Sequence, residues 1–200
     1  MVRVIAVANQ KGGVGKTTTT VNVAAALGEL CPSVLVVDLD PQGNATQALG
    51  LGRMSSDVSI YDVLIDETPL DKAIVATRVK GVTCIPASVD LAGAEVELVA
   101  EEGREQRLKW AFDKADLPTG TVVLIDCPPS SGALSASALS AASHAVIVVE
   151  PSALGLRGIG AAAGIAVLAQ GPGTLALGPA ADAESANVTA TTNVNSRSAP

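Results

Sequence analysis

The run KGGVGKTT at residues 11–18 limits what this chain can fold into more than any other feature, because of what lies on either side of it. VRVIAVA at 2–8 is apolar and rich in β-branched residues, the composition of a buried strand. TTTTVNVAAALGEL then places apolar side chains where one face of a helix ending near Leu30 needs them. Strand, glycine-rich turn and helix in that order have a specific physical use. Gly12, Gly13 and Gly15, with Val14 among them, permit conformations that turn successive amides inward, and the helix that follows adds its dipole. Lys16 is placed to reach outer phosphates and the Thr17 hydroxyl to coordinate magnesium.

Four further apolar runs follow: SVLVVDLD at 33–40, VTCIPA at 82–87, TVVLID at 121–126 and AVIVVE at 145–150. Helix-length connectors separate them. IYDVLI at 60–65 reads as a short helix, 66–81 as an exposed helix and loop, 89–115 as one or two amphipathic helices broken near Gly103, and 132–142 as an Ala/Ser-rich helix. A helix is also expected from about Leu154 to Ala169. Five apolar strands without clean alternation, joined this way, specify an α/β fold: a mostly parallel sheet with helices on both faces.

In such a sheet the carboxyl ends of the strands form the ligand crevice. Asp38 and Asp40 end the second strand and Asp126 ends the fourth, on the same side as the glycine-rich loop. Asp38 either faces the metal or accepts loop amides, and Asp40 either faces the metal and its waters or caps the turn before Pro41. Gln42 and Asn44 either hold the loop near the phosphates or simply make that turn. His144 reads as a local cap, and Trp110 and Phe112 as core contacts from a helix. Glu150 and Pro151 stand where a base-side contact could be made.

Composition removes other classes. Aromatic residues are 2% of the chain, so bases and sugars are not held by stacking, and 13 Lys plus Arg against 20 Asp plus Glu give a net charge of -7, unfavourable for a mainly electrostatic grip on nucleic acid or anionic lipid. Cys31, Cys84 and Cys127 lack paired spacing and read as buried free thiols of a reducing compartment. The first apolar run is too short for a signal-peptide core. Residues 158–181 are uncharged but hold six glycines and two prolines, which argues against a membrane span.

The run KGGVGKTT, with Lys11 five positions before Lys16, resembles the deviant Walker A motif of the ParA/MinD partitioning ATPases, a P-loop NTPase group. VLVVDLDPQGNAT at 34–46, YDVL at 61–64, IPASVDLAGAEVEL at 85–98 and VLIDCPPS at 123–130 extend the resemblance over about residues 1–165, closest to the ParA/Soj branch. The resemblance implies ATP and Mg2+ as ligands, Lys16 and Thr18 on phosphate, Thr17 on magnesium, and Lys11 reaching across an ATP-dependent homodimer to the partner's nucleotide. It implies that Asp126 is the Walker B acid, Asp38 its neighbour in the metal shell, and Asp40 the residue positioning the hydrolytic water. Lys11, Lys16 and Asp40 would then carry catalysis, with a second fixed cation meeting charge that develops on the transferred phosphoryl group. A switch in plasmid or chromosome partitioning, a ParB-like centromere-binding partner and a cytoplasmic, nucleoid-associated location also follow from the resemblance.

The end of the chain departs from that pattern. Residues 1–170 read as the ATPase domain, short of late family elements, and 171–200 as a weakly structured tail with one weak strand candidate, TLALG. Only Arg157 and Arg197 are basic after Lys114, which weighs against nonspecific DNA contacts, and 182–200 lacks the amphipathic helix of a membrane-binding member. A catalytically weak nucleotide-binding or scaffolding protein left by C-terminal truncation is the alternative. ATP-dependent amidation or metal-cluster delivery fits less well, because PQGNAT and DLAGAE are partition-like.

Overall fold

The computed structural model describes residues 1–52, 56–99, 101–149 and 190–193. The strands are β1 (Arg3–Ala8), β2 (Val34–Asp38), β3 (Val75–Ala76), β4 (Val82–Ile85), β5 (Val122–Asp126), β6 (His144–Ile147) and β7 (Ala190–Asn193). The helices are α1 (Lys16–Leu27), α2 (Asn44–Ala48), α3 (Ile60–Ile65), α4 (Leu91–Val99), α5 (Arg107–Lys114) and α6 (Ala133–Ala141), with 3-10 turns at Leu70–Ala73 and Arg104–Gln106.

Among the described residues the sheet order is β3-β4-β2-β5-β1-β6-β7. The five inner strands run parallel, and β3 and β7 pair antiparallel at the two edges. All five expected strands are present, most of them shorter at one end. The expectation of an α/β fold with helices on both faces holds, and the reason is visible in the side chains. Leu35, Val37, Val123 and Ile125 belong to the core under α3–α6, whereas Val34, Val36, Val122 and Leu124 belong to the core shared with Ala24 of α1 and Ala45 of α2. Both faces of each central strand are covered, so both must be apolar and no polar alternation survives.

Three local differences have physical causes. The expected exposed helix within 66–81 is a 3-10 turn and the edge strand β3, because Leu70 and Ala73 are buried and hold the segment against the domain. The break near Gly103 is real: this residue is left-handed at φ 70, and the ring of Trp110 lies against it. Trp110 is nonetheless 46% exposed and not a core residue; of the expected pair only Phe112 packs against the core. The segment read as lacking structure contains β7, whose pairing with β6 runs from His144↔Asn193 to Ile147↔Ala190. The Leu154–Ala169 helix, TLALG, Glu150, Pro151, the uncharged stretch 158–181 and the boundary at 170 lie outside the described residues. Among the described residues no helix is long and apolar enough to cross a membrane.

Behind the crevice, the end of α1 touches the turn before β4. Gly81 is left-handed at φ 76, and a side chain there would meet the Gly28 carbonyl. Gly81→Ala therefore combines backbone strain with a collision against main chain and is expected to destabilise the fold by roughly 1–3 kcal/mol. Gly52→Ala, where a side chain would meet nothing within 4 Å, should change stability by less than about 0.5 kcal/mol. Urea denaturation of the two variants checks this, and equal midpoints would contradict it.

Candidate functional site

The loop from Asn9 to Gly15 joins the carboxyl end of β1 to α1. Gly13 and Gly15 have φ 76 and φ 95, and a side chain at either would meet nothing within 4 Å, so the glycines line open space in front of the helix. α1 has no side-chain cap at Gly15 and no acidic residue in its first turn, which leaves its amides and dipole directed at that space. Lys16 is 7% exposed, and its Nζ donates to the Lys11 carbonyl at 3.2 Å, curling the loop around its own cation. Burial lowers the Lys16 pKa, opposed by Asp126, Cys127 and Asp40. A buried ammonium beside open glycine space suits an anion of several charges. Thr18 is exposed on the first turn.

β5 delivers Asp126 to the same turn. Its Oδ2 accepts from Thr17 Oγ1 at 2.7 Å, and Thr20 Oγ1 lies 3.2 Å from Oδ1. Asp126 has no exposed surface, and its pKa is pushed up to about 7, chiefly by burial and against the bonds from Thr17 and Thr20. Thr17 and Asp126 are hard oxygen donors in contact and fit magnesium, which keeps waters and phosphate oxygens for most of its shell.

Asp38 behaves differently. Its Oδ2 accepts both the amide and the hydroxyl of Thr46 at 2.7 Å, its Oδ1 accepts the Asp40 amide at 3.2 Å, and the Thr46 hydroxyl in turn accepts the Ala87 amide at 3.1 Å. In this ligand-free arrangement Asp38 is a buried carboxylate that holds loop amides. Oδ2 fastens α2 to β2 and Oδ1 holds the loop directly after β2, and its pKa is pushed up to about 6, mainly by burial. Asp40 is buried beside Lys16 and Asp126, and its Oδ1 accepts the Gln42 amide at 2.9 Å, closing the turn that ends at Gly43. Gln42, within that turn, and Asn44, just after it, are exposed. His144 Nδ1 lies 3.0 Å from Ser143 Oγ, a local contact.

Sequence reasoning missed three residues here. Asn9 is buried, donates to the Val148 carbonyl at 2.7 Å and accepts the Lys11 amide at 2.9 Å, so it ties the loop to the strand beside it. Thr20 and Thr46 complete the carboxylate networks. A polar residue ending an apolar strand was the available signal for Asn9; the threonines have no local signal, because their partners are distant in sequence.

The fold and the loop together define a P-loop nucleotide-binding domain. The chain belongs to the AAA domain family, whose model matches residues 2–167, and within it is ParA/Soj-like. It is 46% identical over 159 residues to the sporulation initiation inhibitor protein Soj of Bacillus subtilis, covering 80% of this chain and 62% of that protein. It is 44% identical over 159 residues to the chromosome partitioning protein ParA of Caulobacter vibrioides, covering 78% and 59%. Among solved structures, cobyrinic acid a,c-diamide synthase from Mycobacterium smegmatis with bound ATP analogue and magnesium is 44% identical with a TM-score of 0.78, covering 85% of this chain and 69% of that chain. This chain thus spans about three fifths of the length of the two curated relatives.

The two buried acids should respond oppositely to amide replacement. Raised pKa values mean that the folded state keeps protons which the unfolded chain releases above about pH 4, so their contribution to stability falls as pH rises from about 4 to 7. Asp126→Asn removes its share, on the order of 2–4 kcal/mol, and its hydroxyl partners can rotate to suit the amide. The nucleotide-free variant should be more stable than wild type at pH 8 and show a shallower loss between pH 5 and 8. Asp38→Asn should lose roughly 1–3 kcal/mol, because an amide nitrogen facing backbone donors cannot accept from them. Denaturant titrations at the two pH values check both, and parallel profiles for wild type and Asp126→Asn would contradict the assignment.

Proposed function

We propose that this chain is a magnesium-dependent ATPase whose bound nucleotide drives formation of a homodimer, working as a switch in partitioning plasmid or chromosomal DNA. The single observation that carries the nucleotide reading is the buried Lys16 curled behind the open glycines of the loop, with Thr17 and Asp126 in contact beside it. Identity to Soj and ParA supports the partition role.

In this reading the amides of residues 12–18 and Lys16 bind the phosphates, and Thr18 adds a contact from the first turn. Thr17 and Asp126, with Asp38 as their neighbour in the metal shell, would hold magnesium, whose charge would offset that developing on the phosphate oxygens. Asp40, beside Lys16 and fixed by its own turn, orients the attacking water. Lys11, on the loop ahead of the cradle, reaches the partner protomer's phosphates and supplies the second cation needed as charge builds. A ParB-like centromere-binding protein is the expected stimulating partner, and the cytoplasm, with association to the nucleoid, the expected location. Nonspecific DNA contacts are not favoured by the acidic balance of the chain. Amidation, the role named for the Mycobacterium smegmatis neighbour, requires an ammonia-releasing nucleophile; Cys84 and Cys127 are buried, with thiols pushed up by burial, and the half-buried Cys31 lies past the far end of α1 from the glycine loop.

The two lysines separate binding from turnover. Lys16→Ala should weaken ATP binding by about 10-fold or more, the loss of a charge-assisted phosphate contact. Lys11→Ala should keep the dissociation constant within about 3-fold while hydrolysis falls by about 100-fold and the ATP-dependent dimer is lost. Nucleotide titration, phosphate release and light scattering with and without ATP give the three readouts. Wild-type hydrolysis in both variants would overturn the assignment, and a wild-type protein that stays monomeric with ATP would overturn the switch.

A further inference from the structure

We infer that Glu95, on α4, is a positioning residue for the nucleotide site, holding the loop that follows Asp126 against the entry of the phosphate loop. This loop, residues 127–132, leaves β5 directly after Asp126 and starts α6. Ser130 Oγ donates to Glu95 Oε1 at 3.2 Å. A side chain on Gly132 would run into the Glu95 carboxylate, so that carboxylate occupies the space at the head of α6. α6 lacks both a side-chain cap at Gly132 and an acidic residue in its first turn. Glu95 therefore supplies from another helix the negative charge that this N-terminus does not carry itself.

The other side of the loop meets the phosphate loop. Asn9 and Gln10 line one crevice with Pro128, Ser130 and Ser135, and Pro129 Cβ stands 4.0 Å from where a side chain on Gly12 would begin. Ser130 is thus held by two helices, its hydroxyl by Glu95 of α4 and its carbonyl by Ser135 Oγ of α6 at 2.7 Å, and it borders the crevice that Asn9 and Gln10 line. Freeing one hold loosens the packing that keeps Pro129 over Gly12 and Asn9 in register. α4 itself is anchored in the core by its buried Leu91, Ala94 and Leu98, so the carboxylate projects from a supported helix, while Glu97 lies on its exposed side, 3.1 Å from the Tyr61 hydroxyl.

The catalytic consequence rests on the proposed ATPase reading; the positioning itself does not, and the test separates them. Hydrogen exchange of the nucleotide-free protein is followed in peptides covering 127–132 and 9–13 for wild type, Glu95→Ala, Glu95→Gln, Ser130→Ala and Glu97→Ala. Glu95→Ala should raise exchange in both segments by about 10-fold, the equivalent of one charge-assisted hydrogen bond. Glu95→Gln keeps an acceptor for Ser130 but not the charge and should fall between, with Ser130→Ala near it. Glu97→Ala should leave both segments unchanged. With ATP and magnesium, Glu95→Gln should lower kcat several-fold with KM within about 2-fold, a split that general destabilisation would not produce. Faster exchange confined to 127–132, or wild-type exchange in both segments for Glu95→Gln and Ser130→Ala, would overturn the inference. If Glu95→Ala does not fold, those two milder variants decide. Absence of hydrolysis in wild type would count against the ATPase reading, and the exchange result would still stand or fall alone.

Discussion

The bond between Asp126 and the first turn of α1 is the contact on which the crevice depends. A carboxylate without exposed surface, at the end of a central strand, stays buried because hydroxyls of Thr17 and Thr20 face it. The same contact sets α1 against β5 and therefore sets where the loop in front of α1 opens. Lys16, the first residue of that helix, is carried into the protein by the same placement, and its ammonium turns back to the Lys11 carbonyl. Asp38 repeats the device one strand away, with Thr46 in the place of Thr17, and locks α2 instead of α1. Two neighbouring strand-end carboxylates held by helix-borne threonines thus frame the site on one face of the sheet, one fastening α1 and the other α2.

The order of strands, loops and main helices was legible because its signals are local. Apolar runs, a glycine-rich turn and helical periodicity need no distant partner to be recognised. What escaped was what depends on contacts between remote segments. Nothing within Val75–Ala76 marks β3; two residues become a strand only because Cys84 and Thr83 lie beside them. The 3-10 turn before it owes its shape to burial of Leu70 and Ala73, which their charged neighbours concealed. Ala190–Asn193 sits in a polar, low-complexity context and is a strand through its pairing with β6. Trp110 failed for the opposite reason: an aromatic ring on an amphipathic helix suggests core, yet this ring lies on the surface over the left-handed Gly103.

At the site, residue type was enough to place Lys16, Thr17 and Asp126 together, because strand-end geometry in a parallel sheet leaves few places for them to go. It was not enough to divide the roles of the carboxylates. Asp38 and Asp126 are both acidic residues closing Val/Ile/Leu strands, and only their partners differ. Asp126 faces hydroxyls, which can turn to suit an ion, whereas Asp38 faces two backbone amides, which cannot, beside the Thr46 hydroxyl. Asn9, Thr20 and Glu95 share a limitation: each acts by joining segments far apart in the chain, and spacing along the sequence carries no record of that.

The electrostatics of the ligand-free site favour an anion and a cation arriving together. Burial pushes Asp126 toward its neutral form and Lys16 toward its own, so the two charges that a nucleotide site needs are each disfavoured before any ligand arrives. Phosphate oxygens brought against Lys16 restore the reason for its charge, and a divalent cation between those oxygens and Asp126 does the same for the carboxylate. Neither ligand alone satisfies both groups. Loading therefore depends on phosphate and cation together, and it converts a strained pair of buried ionisable groups into one linked arrangement spanning β5, α1 and the glycine loop.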